Sequence, residues 1–173
     1  MAGLFHNILE AVQIVEGVPA VDLSTGANNG DYVSLKNYNR CAVVFVSGVG
    51  TAGDDPTLTI QQASDVAGTG VKALNFTVIF RKQAATNLTT TGVWTRTTQT
   101  AANTYTNATS AEESLIWVVD FQGSDLDVDN DFDCLRATVA DVGANAQPGY
   151  IFYLLYDPKY PQRPADMLSA IVN

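Results

Sequence analysis

A chain of 173 residues is long enough for one domain with its own core, and a formal net charge of −9 argues against partners recognised through a phosphate backbone. With 46% hydrophobic but only 16% charged residues, much of the surface has to be neutral and polar, built from Thr, Asn, Ser, Gln and Gly. The longest uncharged apolar stretch, CAVVFVSGVGTAG from Cys41, is too short for a membrane span, and residues 1–20 lack the positive segment of a secretory signal.

In chain order, the first signal is helical. In GLFHNILEAVQIV, Leu4, Phe5, Ile8, Leu9, Val12 and Val15 recur at helical spacing, with His6, Asn7, Glu10 and Gln13 elsewhere. This predicts an N-terminal helical arm within residues 1–19. A succession of short β signals then fills residues 20–157, separated by Gly, Asn, Asp and Pro. DYVSL (31–35) alternates, and RCAVVFVSGV (40–49) is continuous, apolar and β-branched, as a central strand is. TLTIQQA (57–63) sets Leu58 and Ile60 against Thr and Gln, and LNFTVIF (74–80) alternates Leu74, Phe76, Val78 and Phe80. Residues 85–113 are rich in Thr, Ala and Asn and read as long hairpins or surface loops, with a Thr-rich strand at VWTRTTQT (93–100). Trp94 and Tyr105 in that region need partners. SLIWVVDF (114–121) is a buried run.

The stretch GSDLDVDNDFDC (123–134) alternates Asp125, Asp127, Asp129, Asp131 and Asp133 with Leu126, Val128, Asn130 and Phe132. An EF-hand loop needs Gly at its sixth position and Glu at its twelfth. A start at Asp127 puts Phe132 and Thr138 there, and a start at Asp125 puts Asn130 and Arg136 there, so both registers fail. The alternation predicts a solvated strand or extended edge, a turn near Asp129-Asn130-Asp131, and a new strand from about Phe132. DCLRATVADV (133–142) and YIFYLLYD (150–157) complete the β signals. DPKYPQRP is a stiff extended connector, and in PADMLSAIVN the residues Met167, Leu168, Ile171 and Val172 return to helical spacing after Pro164.

No helical period competes in the middle, which disfavours a parallel sheet with crossover helices. The expectation is an all-β fold: one antiparallel β-sandwich, jelly-roll-like or immunoglobulin-like, with short terminal helices or arms. The sandwich would occupy 20–157, followed by a connector and C-terminal arm over 158–173. Its expected core includes Val43, Phe45, Phe76, Val78, Trp117, Val119, Phe152 and Leu154. The apolar ends either pack on their own domain or dock on neighbouring subunits. On the second reading the candidate contacts are Leu4, Phe5, Ile8, Leu9 and Val12 at one end and Met167, Leu168 and Ile171 at the other, with Tyr160 anchoring the C-terminal arm.

The residues of catalysis are sparse. His6 is the sole histidine, no G-x-S-x-G occurs, and Cys41 and Cys134 lie in strand-like runs, where free buried thiols are expected. One His and two separated Cys disfavour zinc. GVGTAG (48–53) lacks the Lys-Ser/Thr and the helix of a phosphate loop. Carboxylate pairs for glycoside hydrolysis can be picked from Asp54, Asp55, Glu112, Glu113 and Asp120, as in any acidic protein. No enzymatic activity, cofactor or metal is expected.

The stretches GDYVSLKNYNRCAVVF (30–45), GTAGDDPTLTIQQASDVAGTGVKALNFTVIFRKQ (50–83) and DCLRATVADVG (133–143) resemble small virion structural proteins of tailed bacteriophages and prophages, capsid decoration (cement) proteins in particular. The resemblance implies a structural role, assembly in the bacterial cytoplasm, and no catalytic residue. On this reading the major capsid protein is the partner, and because no single pocket is visible, a closed dimer or trimer that multiplies small contacts is expected. Acidic charge fits the outside of the capsid, away from packaged DNA. A tail, neck or spike component, or a carbohydrate-binding virion module, is the alternative.

Overall fold

The structure is a computed structural model that describes residues 8–84, 92–160 and 163. Strands are numbered along the chain. One sheet has six strands in the order β1 (Val12–Asp22), β12 (Pro148–Pro158), β4 (Tyr38–Ser47), β10 (Ser114–Gln122), β7 (Phe76–Ala84) and β8 (Thr95–Ala102). The other runs β2 (Asn28–Asn29), β11 (Cys134–Val139), β5 (Thr57–Ala63) and β6 (Lys72–Ala73). Two short strands join it, β3 (Val33–Ser34) on β11 and β9 (Thr104–Thr106) on β5. The pairings are antiparallel. The fold is therefore an all-β antiparallel sandwich, as the spacing of short apolar runs predicts.

The core lies between the sheets. From the six-stranded sheet come Val43, Phe45, Trp117, Val119, Ile151 and Tyr153; Leu58, Ile60, Leu135 and Val139 meet them from the other side. Trp117 sits edge-on between Phe45 (centroids 5.5 Å apart) and Tyr105 (4.9 Å), so Tyr105 finds the partner its sequence context demands. Tyr153 pins the sheets together: its hydroxyl accepts from the Ala137 N–H (2.9 Å) and donates to the Asp31 carbonyl (3.0 Å). Gly17 is where β1 passes this ring, and a Cβ there would lie 2.8 Å from it.

Several expectations need correction. Residues 12–22 are an edge strand, not the end of a helical arm, and the sandwich begins at Val12 rather than at residue 20. The β-branched residues at 12, 14, 15, 18 and 21 favour extended backbone, and Pro19 cannot continue a helix but suits an edge strand beside a bulge. Ile8 and Leu9 form a single 3₁₀ turn (Ile8–Glu10) and are exposed. Leu4, Phe5, Met167, Leu168 and Ile171 lie outside the described residues, as does the C-terminal helix expected there.

The stretch 123–131 is likewise not an extended edge. It folds as two 3₁₀ turns, Gly123–Asp125 and Val128–Asn130, with Leu126 buried between them and Asp131 left-handed (φ 61°), as an aspartate tolerates. Strand facing also differs at two places. In β7 a bulge after Phe76 turns Ile79 inward and leaves Val78 half-buried and Phe80 exposed. In β12 it is Ile151, Tyr153 and Leu155 that face the core, whereas Phe152 and Leu154 lie on the opposite face, half-buried.

Candidate functional site

The two outer faces of the sandwich are unlike. On the smaller sheet the outward positions of β5, β9 and β11 are Thr57, Thr59, Gln61, Thr106, Arg136 and Thr138, a solvated polar face. Arg136 donates to Gln61 (2.9 Å), and the Thr57 and Thr106 hydroxyls pair at 2.6 Å.

On the six-stranded sheet the outward positions are largely apolar, and the strand register arranges them in rows. Val12, Tyr156, Arg40 and Gln122 form the first row, and Ile14, Leu154, Ala42 and Asp120 the second. The third runs Glu16, Phe152, Val44, Val118, Phe80 and Arg96 across all six strands. The fourth is Tyr150, Val46, Ile116 and Lys82. The centre is well covered by its own neighbours, with Ala42 and Val44 at 8% and 5% exposure, while Ile14 (51%), Phe80 (41%) and Tyr150 (40%) stand out from it. Tyr150 stacks on Phe152 with centroids 6.0 Å apart. Two shallow apolar depressions flank Tyr150, of about 300 Å³ beside Ile14 and Phe152 and about 450 Å³ beside Val46 and Pro148.

The polar groups of this face sit at its margins. Arg40 pairs with Asp120 and donates to the Tyr156 hydroxyl (2.7 Å), which is also 2.8 Å from the Asp120 carboxylate. Burial, and next the hydrogen bond to Asp120, push the Tyr156 phenol up. Hydrogen bonding to Asp120 raises Arg40 further still. A phenol held neutral and a guanidinium held by a carboxylate make a clip across β10, β4 and β12, not an acid–base pair poised for catalysis. Glu16 and Arg96 mark the opposite lateral edges of the third row.

Of the residues proposed from sequence as contacts, Val12 belongs to this face, Ile8 and Leu9 lie just before it in the chain, and Tyr160 (67% exposed) follows the end of β12. Sequence reasoning missed the rest of the face because it assigned Val78, Phe152 and Leu154 to the core.

The acidic stretch disperses its carboxylates. Asp125 accepts from the Gln122 N–H (2.8 Å); Asp127 pairs with Lys72 and accepts from Asn130 (2.9 Å); Asp133 meets the Cys134 thiol (3.0 Å). Among the described residues no group of three or more His, Cys, Asp or Glu is placed to hold a metal ion. Both cysteines are free and buried, and burial pushes both thiols up, Cys134 to about 12.

Lys72 holds the Asp127 carboxyl below its ordinary value; the Gln147 and Ser24 amides do so for Asp22, and Thr69 for Asp65. Lowered values stabilise the fold above the unfolded carboxylate pKa of about 3.9, and the stabilisation is lost as pH falls through the lower folded values. The melting temperature is expected to be insensitive to chelators near pH 7 and to drop below about pH 4. A drop on chelation at neutral pH, reversed by Ca²⁺ but not Mg²⁺, would contradict this.

No protein-family model, curated protein or solved structure matches the chain.

Proposed function

We propose that this chain is a non-enzymatic structural protein of a tailed-phage virion, a capsid decoration protein that binds the outside of the shell and holds neighbouring major capsid subunits together. The apolar outer face of the six-stranded sheet carries the assembly part of this reading. Monomeric soluble proteins seldom expose such a field except where another surface covers it. The phage assignment rests on the likeness of residues 30–45, 50–83 and 133–143 to small virion proteins. Both ends of the chain leave the sandwich at one corner, since Val12 pairs with Tyr156 near the end of β12. The segments 1–7 and 164–173 are apolar in sequence, and in this reading they serve as shell contacts.

The test is binding of the purified chain to heads that lack it. Deleting 1–7 and 164–173 spares every described strand and should abolish decoration while leaving a folded sandwich. Undiminished binding by the truncated chain would overturn the role of the ends, and no binding by the full chain would overturn the function.

A further inference from the structure

The outer face of the six-stranded sheet carries charges that select its own partner. We infer that it pairs with the same face of a second copy, about a two-fold axis running parallel to the strands between β4 and β10. The sheet has three strands on each side of that line: β1, β12 and β4 on one, β10, β7 and β8 on the other. A two-fold along the strands lays β1 over the partner's β8, β12 over its β7, and β4 over its β10, and it keeps each row opposite the same row. In the third row Glu16 then faces Arg96 at both ends of the interface, Phe152 faces Phe80, and Val44 faces Val118.

The alternative axis, across the strands, sets β7 and β8 over their own copies. With that axis at the middle of the four rows, Arg96 would lie within about 7 Å along the strands of a second Arg96, with Glu16 far from it. Like charges so placed are costly, and the lateral asymmetry of this face removes that arrangement.

The size of the face agrees. Five strands at about 4.8 Å and four rows at about 6.8 Å make a field of roughly 600 Å² per partner, so a pair covers more than the roughly 1,000 Å² that a specific interface needs. Aligned face-to-face stacking of two sheets is a common packing and seals apolar outer faces. The charge balance agrees as well. Arg40, Lys82 and Arg96 against Glu16 and Asp120 give this face 3 − 2 = +1, in a chain whose net charge is −9, so two copies meet without the repulsion their totals suggest. The pairing needs only the face and stands whatever particle the protein belongs to. Because the axis runs along the strands, it also brings the Val12–Tyr156 corner of both copies to one end of the dimer.

Sedimentation equilibrium of the full chain should give about twice 18.5 kDa at micromolar concentration. Glu16→Arg or Arg96→Glu alone should weaken the dimer by about tenfold, and the double exchange should restore it. For geometry, Phe152→Cys and Phe80→Cys chains, mixed and oxidised, should link to each other and not to themselves; native Cys41 and Cys134 are buried and stay out of the reaction. Linking of Phe152→Cys to itself would overturn the axis. A monomer at every concentration would overturn the pairing, and so would a monomer that dimerises once 164–173 is deleted, because the chain's own end would then be what covers the face.

Discussion

Phe45→Ala is expected to cost about 3–5 kcal/mol of folding stability. Phe45 is fully buried in β4, between β12 and β10, with Ile151 and Trp117 as its cross-strand neighbours. Its ring meets Trp117 edge-on at 5.5 Å, so truncation removes both the apolar burial and an aromatic contact, and it opens a cavity that two hydrogen-bonded sheets cannot close. Phe152→Ala, one residue along β12 from Ile151 but on the outer face, should cost less than Phe45→Ala, because that ring is only partly buried and its loss opens no cavity between the sheets. Denaturant unfolding of the two variants, performed where the chain is monomeric, separates them. Equal losses would mean that the outer face is part of the core.

Tyr153→Phe is the second large effect, expected at about 1–3 kcal/mol although it removes one oxygen and no carbon. The hydroxyl receives the Ala137 amide and satisfies the Asp31 carbonyl, joining β12 to the opposite sheet. Phenylalanine keeps the ring and leaves the Ala137 amide without its partner, beside a ring that is fully buried. Burial also pushes the Tyr153 phenol up, so above about pH 10 the unfolded chain releases this proton before the folded chain does, and stability falls with alkali. That alkaline limb should be shallower in Tyr153→Phe. A variant as stable as the parent, with the same alkaline limb, would show that the sheets are not joined through this hydroxyl.

What the sequence made legible depended on how many faces each strand buries. TLTIQQA alternates, and β5 begins and ends where the alternation does. RCAVVFVSGV is apolar on both faces, and β4 is indeed central, paired on both sides. YIFYLLYD is also apolar on both faces, so periodicity cannot choose which of Tyr153 or Phe152 points inward; the structure puts Tyr153 inside, where its hydroxyl has partners. The bulge in β7 reverses facing midway through a clean alternation, which no periodic reading detects. At the N-terminus a helical spacing was continued across Ala11 into a segment whose Gly17 and Pro19 belong to a bulged edge strand. Those three features hide the apolar outer face from a periodic reading: Ile14 falls within a helical spacing, Phe152 and Leu154 read as core, and Phe80 alternates in phase with Phe76 and Val78.

The acidic run illustrates a different limit. Alternating aspartates fit a strand by period, but Asp127 is drawn to Lys72 and Asn130, and Asp125 to the Gln122 amide, contacts that favour tight turns over an extended edge. Those partners are local for Asn130 and Gln122 but 55 residues away for Lys72, beyond what a short-range pattern reveals.

The virion role is tested most directly by counting this protein in a density map of the particle that carries it. A decoration protein should be present in copies on the order of hundreds, on the outside of the shell, as two-fold pairs with their chain ends against the capsid. Absence from the particle would contradict the account, and so would a count of about six to a few dozen, which would place the protein in the tail or a spike.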